Sequence, residues 1–292
     1  MLSARSQKAV GQASLRTSIA LTPRVGVVAI ERHGLVFDTR FVPGDAAAAR
    51  PMTVLYVVLD GKLVVDGGPV HEAPVVFATT ETDLEGALGA RSRTHRTLGH
   101  PYVAVEVHLR DEDLAWPPAS ALGESFFTAC RKVVDEGWKS DDLLHETASA
   151  VLDELRAHAV VPPGVVLERG TASATVSRVW SALRPALERL AALASLKELD
   201  GSASTRQRQR DLDALSTSYP VVRGGWRAMA RRYRLKLAVL LLSAHDAQVA
   251  VVAREVGYGS ADAMGRAFRD AGLPSPSEVQ RRLREKDAQS EH

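Results

Sequence analysis

From Val25 to about Arg110 the apolar residues come in short β-branched runs broken by turn formers, whereas beyond Thr175 they recur at helical spacing. In "MTVLYVVLDGKLVVDGG" two Val/Leu runs flank Asp60-Gly61, a dipeptide suited to the positive-φ turn of a hairpin. Further runs lie at Pro74 to Ala78 and Tyr102 to Leu109. In the latter, Val103, Val105, Val107 and Leu109 alternate with Ala104, Glu106 and His108, the period of a half-buried strand. Together they predict a small sandwich or barrel, closed by Trp116-Pro117-Pro118.

Helical spacing then takes over. Phe126, Cys130, Val133 and Val134 predict a helix over 122–136, and Leu144, Ala148, Val151, Leu152 and Leu155 predict another over 141–158. Such helices either cover the sheet or pair with another chain. "VVPPGVVLERGTASA", residues 160–174, reads as a linker. Val179, Leu183, Leu187, Leu190 and Ala194 predict a helix over 176–194, interrupted by Pro185, and "WRAMARRYRLKLAVLLLS" predicts one over 226–243. Val249, Val252, Ala253 and Val256 mark a short helix that stops at Gly257. Ser260 is a good N-cap, and Met264, Ala267, Phe268 and Ala271 restart the spacing. Two short helices joined by a glycine turn are a helix-turn-helix. A nucleotide-binding loop is excluded, because Gly257-x-Gly259 lacks the third glycine and follows a helix.

Charge sharpens the division. Residues 178–292 carry 20 Lys and Arg against 13 Asp and Glu, a balance of +7, and the rest of the chain balances at −5. One half is therefore suited to a polyanion. The single cysteine, Cys130, forbids an internal disulfide and fits a cytoplasmic setting. Residues 1–20 read as a tail, and no run is long enough for a membrane span. Nucleophile-elbow, Walker-type and His-Glu-x-x-His motifs are absent, so the chain is read as a non-enzyme without a cofactor. His33, His71, His95, His100 and His108 include no close His-x-His pair followed by a carboxylate, and no metal is expected. Arg91, Arg93, His95 and Arg96 suit either an anion site or a solvated loop.

On the second short helix Ala261, Asp262, Gly265, Arg266 and Arg269 point away from the apolar stripe. Arginine is the usual bidentate reader of guanine and a clamp for phosphate, although helix-turn-helix hairpins also serve as plain packing units. From here the sequence resembles the C-terminal domain of the AraC/XylS family of bacterial transcription regulators. Arg234-Leu235, Ala238 and Leu241-Leu242 resemble its linker helix; "VAVVAREVGYGS", Arg266, Phe268 and Ser275-Pro276 resemble its second helix-turn-helix. The likeness covers about residues 176–285. Met264 stands where the family has an aromatic residue, and Gly272 comes one residue earlier than its glycine.

The resemblance implies an earlier unit, matched by Leu193, Leu196 and Leu199, a turn at Gly201 to Ala203, Ser204 as N-cap and a helix from Thr205 to Leu215. It also implies an N-terminal cupin-like domain that binds a small-molecule effector and a homodimer built with the following helices. The expected DNA contacts are Thr205, Arg206, Gln207, Arg208 and Gln209 in the first unit and Ser260, Asp262, Arg266 and Arg269 in the second. Arg and Gln read guanine and adenine in the major groove; a solvated polar helix is the alternative for the first unit.

The fold class expected is α+β. A tail (1–20) precedes a cupin-like β domain (21–118), a helical dimerisation region (119–160), a linker (161–174), a double helix-turn-helix domain (175–286) and a second tail (287–292). The function expected is sequence-specific regulation of transcription on double-stranded DNA, away from membranes. The alternative is a small-molecule-binding or enzymatic cupin fused to a helical interaction domain without specific DNA binding.

Overall fold

The computed structural model describes residues 1–41, 52–65, 69–80, 95–110, 122–170, 172–190, 204–219 and 226–288. Its first correction concerns residues 1–20, which are not a tail. Strands β1 (Leu2–Val10) and β2 (Ala13–Leu21) pair antiparallel from Leu2 opposite Leu21 to Val10 opposite Ala13. Gly11 turns between them at φ +58. Leu15, Thr17, Ile19 and Leu21 give β2 a strand's alternation, but β1 places small Ala4 and Ser6 on the same side. Its hydrophobic pattern is correspondingly faint.

Strands β3 (Val25–His33), β4 (Met52–Val65), β5 (Val70–Glu72), β6 (Val75–Thr80) and β7 (His95–Arg110) complete one antiparallel sheet. The order is β1-β2-β3-β7-β4-β5, with β6 also paired to β4. Among the described residues this path is open, so the sheet does not close into a barrel.

Asp60-Gly61 is not a hairpin turn. β4 runs straight through it, with register shifts on either side of Asp60, because the long β7 stays paired across the irregularity. Gly61 has φ +98, its N–H is accepted by the Asp60 carboxylate at 2.8 Å, and a Cβ there would lie 2.7 Å from the Pro101 carbonyl. The glycine serves a β-bulge and the close approach of β7.

One face of the sheet presents Val27, Ala29, Leu55, Val57, Val105, Val107 and Leu109, all buried. Helices α1 (Glu124–Glu136) and α2 (Asp141–Ala157, capped by Ser140) cover it with Phe126, Cys130, Val133, Leu144, Val151, Leu152 and Leu155 in a single core. Of the two uses open to these helices, the apolar faces take the sheet of their own chain. Burial pushes the Cys130 thiol up, out of the range of a reactive thiolate. The expected linker is anchored too: Val161, Val165 and Leu167 join this core, and His145 Nε2 bonds the Leu167 carbonyl at 2.7 Å.

The opposite face meets the C-terminal helices α3 (Ala174–Glu188), α4 (Thr205–Ser218), α5 (Trp226–Leu242), α6 (Val249–Glu255), α7 (Ala261–Arg269) and α8 (Pro276–Ala288). Leu2, Ala4 and Leu21 pack with Val176, Val179, Trp180 and Leu183 of α3 and with Leu212 and Leu215 of α4. Ala13, Leu15, Leu35 and Val36 pack with α5 to α8, around Leu235, Val252, Phe268 and Leu283. Sheet and helices therefore share two cores.

Candidate nucleic-acid interface

The second helix-turn-helix forms as its sequence predicts. Helix α6 ends in a Schellman motif: Tyr258 N–H donates to the Ala253 carbonyl at 2.8 Å and Gly257 N–H to the Arg254 carbonyl at 3.0 Å, with Gly257 at φ +83. Ser260 Oγ accepts from Ala263 N–H at 3.1 Å and starts α7. Helix α7 ends the same way, through Leu273 to Phe268 and Gly272 to Arg269, with Gly272 at φ +71. The shifted position of this glycine is therefore the one its helix end requires.

Met264 and Phe268 are fully buried. On the other side Ala261, Asp262, Gly265, Arg266 and Arg269 line an open groove of about 450 Å³ with Val249, Ser275, Pro276 and Ser277. Arg266 and Arg269 are exposed, as are Ser260 and Asp262. Nothing lies within 4 Å of a Cβ built on Gly265, so packing does not require a glycine there. The sequence reading missed Ser275 and Ser277 as groove residues; the Ser-Pro pair at the start of α8 was the available signal. Ser275 Oγ also accepts from Glu278 N–H at 3.3 Å.

Several other cations are structural. Arg281 and Arg282 both reach Glu278, at 2.6 Å each, and their hydrogen bonds hold its carboxyl down to about 2. Arg284 donates to the Ala244 and Ala247 carbonyls at 2.8 and 3.2 Å, and Arg231 to the Ala267 carbonyl at 3.3 Å. The Arg227 side chain lies outside the description.

The first unit is arranged differently. Ser204 Oγ caps α4 by accepting from Gln207 N–H at 3.2 Å, and Thr205 and Arg206 are exposed. Gln207 donates to Asp211 at 2.6 Å and accepts from Arg210 at 2.8 Å; Gln209 donates to Asp213 at 3.0 Å. Arg208 is buried. Asp211, also buried, is bonded by Arg178 of α3 at 2.8 Å, and this pairing holds its carboxyl below the usual range. Expected readers Gln207, Arg208 and Gln209 are thus engaged within the protein. Asp211, four residues after Gln207, was the legible signal. Leu193, Leu196, Leu199 and the turn at Gly201 to Ala203 lie outside the described residues.

In the N-terminal half, Arg32 is buried with its guanidinium over the Tyr102 ring at 4.3 Å and the Phe37 ring at 5.4 Å. Burial lowers its pKa and raises that of Tyr102 to about 12. Arg96 is buried and donates to the Leu283 carbonyl at 2.8 Å. Arg91, Arg93 and the side chains of His95 and His100 are outside the description. His33 and His108 each bond a glutamate two residues away, Glu31 and Glu106. Among the described residues no group of three His, Cys, Asp or Glu is placed to hold a metal ion, and no helix is long and apolar enough to cross a membrane.

No family model and no curated protein matches the chain in sequence. Among solved structures it is similar to ToxT from Vibrio cholerae O395 at 12% identity, covering 92% of this chain and 98% of that one, with a TM-score of 0.37. The AraC-like transcriptional activator CuxR is similar at 11% identity over 98% and 86% of the two chains, with a TM-score of 0.22. The Clostridium difficile EutQ protein is similar at 13% identity over 37% of this chain and 79% of its own, with a TM-score of 0.24.

Proposed function

We propose that the chain is a sequence-specific DNA-binding transcription regulator of the AraC type, with the N-terminal sheet as an effector-responsive domain. The observation that carries this reading is the groove on α7, where Arg266 and Arg269 face outward beside Asp262 and Ser260. An exposed recognition helix with arginines is the arrangement that reaches base edges and phosphates in a major groove. Arg206 and Thr205 at the start of α4 are the matching contacts of the first unit. Because sheet and helices share two cores, an effector that shifts the sheet shifts the reading helices with it.

The working state is a cytoplasmic homodimer. The apolar faces of α1 and α2 cover the sheet, so a dimer contact in that region uses their polar outer faces. The N-terminal domain then begins at β1, since the hairpin is part of its sheet.

A second reading, a ligand-binding sheet fused to a helical interaction domain without specific DNA binding, is favoured by the engagement of Gln207 and Gln209 inside the chain. Titration of labelled DNA from the chain's own upstream region, at two salt concentrations, separates the two. The first expects site-specific, salt-sensitive binding that Arg266→Ala weakens by about tenfold or more, the worth of one bidentate base contact. Weak binding indifferent to sequence, to Arg206→Ala and to Arg266→Ala would sink it.

A further inference from the structure

The β1–β2 hairpin touches the helices before α5 and those after it at once. At its open end, Leu2 and Ala4 pack against α3 and α4, and Trp180 Nε1 donates to the Ser3 carbonyl at 3.1 Å. At its turn, Ala13 and Leu15 pack against the core of α5 to α8. Gly11 lies against the loop after α5, where any Cβ would overlap the Asp246 carboxylate. Between these ends Lys8, with only 13% of its side chain exposed, donates to Glu255 Oε2 at 2.8 Å and to the Leu190 carbonyl at 3.4 Å. Glu255 closes α6 and Leu190 follows α3, the helix packed against α4, so one ammonium ties the second unit to the end of α3.

From this geometry we infer that the hairpin is a brace for DNA reading: it fixes the separation and twist of the two helix-turn-helix units, with Lys8 as a positioning residue. The inference rests on the DNA-binding reading above. Helix α5 packs into the cores on both sides, through Ala230 with α3 and α4 and through Leu235 with α6 to α8. The hairpin is a second, parallel attachment, and two attachments resist a twist that one helix can follow. At about 3.4 Å per residue the strand β1 extends roughly 30 Å, comparable to the ~34 Å between successive major-groove faces. Lys8 is suited to this task because its long stem lets its head reach acceptors on two separate segments, Glu255 in α6 and Leu190 after α3.

The test uses the full chain and DNA sites that the wild-type protein selects from random duplexes. The two protected segments are mapped, and one or two base pairs are then inserted between them. Wild type is expected to lose about tenfold or more in affinity on insertion, whereas Lys8→Ala and Glu255→Ala bind the original and lengthened sites within about threefold of one another. Lys8→Arg is expected to keep the discrimination, and the exchanged pair Lys8→Glu with Glu255→Lys to restore much of it.

A DNA-free readout accompanies these measurements. Fluorophores on Thr217→Cys and Asp270→Cys report the distance between the units, since buried Cys130 does not label. The distance distribution is expected to broaden in Lys8→Ala and Glu255→Ala. If wild type selects a site and both variants keep its spacing preference and a narrow distribution, the brace is overturned and DNA reading stands. If wild type selects no site at all, both inferences fall.

Discussion

Helices α4 and α7 place similar residue types in opposite circumstances. In the second, Arg266 and Arg269 line an open groove while Met264 and Phe268 fill the core behind them. In α4 a denser cluster of Arg and Gln is bonded within the chain: Gln207 bonds Asp211 and Arg210, Gln209 bonds Asp213, and Arg208 is buried, while Arg206 and Arg210 stay exposed. The richer sequence thus presents no more exposed arginines, Arg206 and Arg210 against Arg266 and Arg269. Local carboxylates decide the matter, because an acceptor four residues along the same helix is always within reach and a base edge is not.

This contrast can be broken at its core, at its ion pair or at its backbone. Phe268→Ala removes the buried side chain that seats α7 and is expected to cost about 3–5 kcal/mol in a urea titration, with loss of the groove. A variant as stable as the parent contradicts the assignment of α7 as a packed recognition helix.

The ion pair in the first unit gives the next largest effect. Asp211→Asn leaves Arg178 and Gln207 with a poorer partner and is expected to cost about 1–2 kcal/mol at neutral pH. The sign in acid follows from the depressed carboxyl. Its stabilisation is complete above the ordinary carboxylate range near pH 4 and disappears as pH falls through the lower folded value, so wild type loses stability there faster than the variant. Parallel stability curves between pH 2 and 5 would remove Asp211 from the account.

The smallest change lies on the open face. Gly265→Ala meets no atom within 4 Å and lies inside a helix, so it is expected to stabilise the chain by about 1 kcal/mol. Destabilisation in a thermal melt would mean that α7 needs a glycine for a reason that packing does not supply.

What could be read from sequence follows the range of the interactions involved. The α6–α7 hairpin is set by neighbours in the chain, Gly257 as helix stop, Ser260 as cap and the Met264/Phe268 spacing, and each was legible. Helices α1 and α2 were equally clear, although their partner was open until Phe126 and Leu152 were found against the sheet. Asp60-Gly61 misled because its role depends on β7, some forty residues away, which stays paired across it. Residues 1–20 looked like a tail because Ala4 and Ser6 carry little hydrophobic signal; helices far along the chain bury that strand. The groove arginines were anticipated, but the engagement of Gln207 required Asp211 and Arg178 to be seen together.

Strand β4 carries a further consequence, one of timescale. It is paired to β7 on one side and to β5 and β6 on the other, so its backbone amides belong to ladders on both flanks. Such amides exchange with deuterium only through large openings of the sheet. Helix α6, at seven residues, is too short to persist without its neighbours. The molecule accordingly opens slowly at the β4 platform, while α6 lasts only as long as the core that buries Val252, Ala253 and Val256 against Phe268.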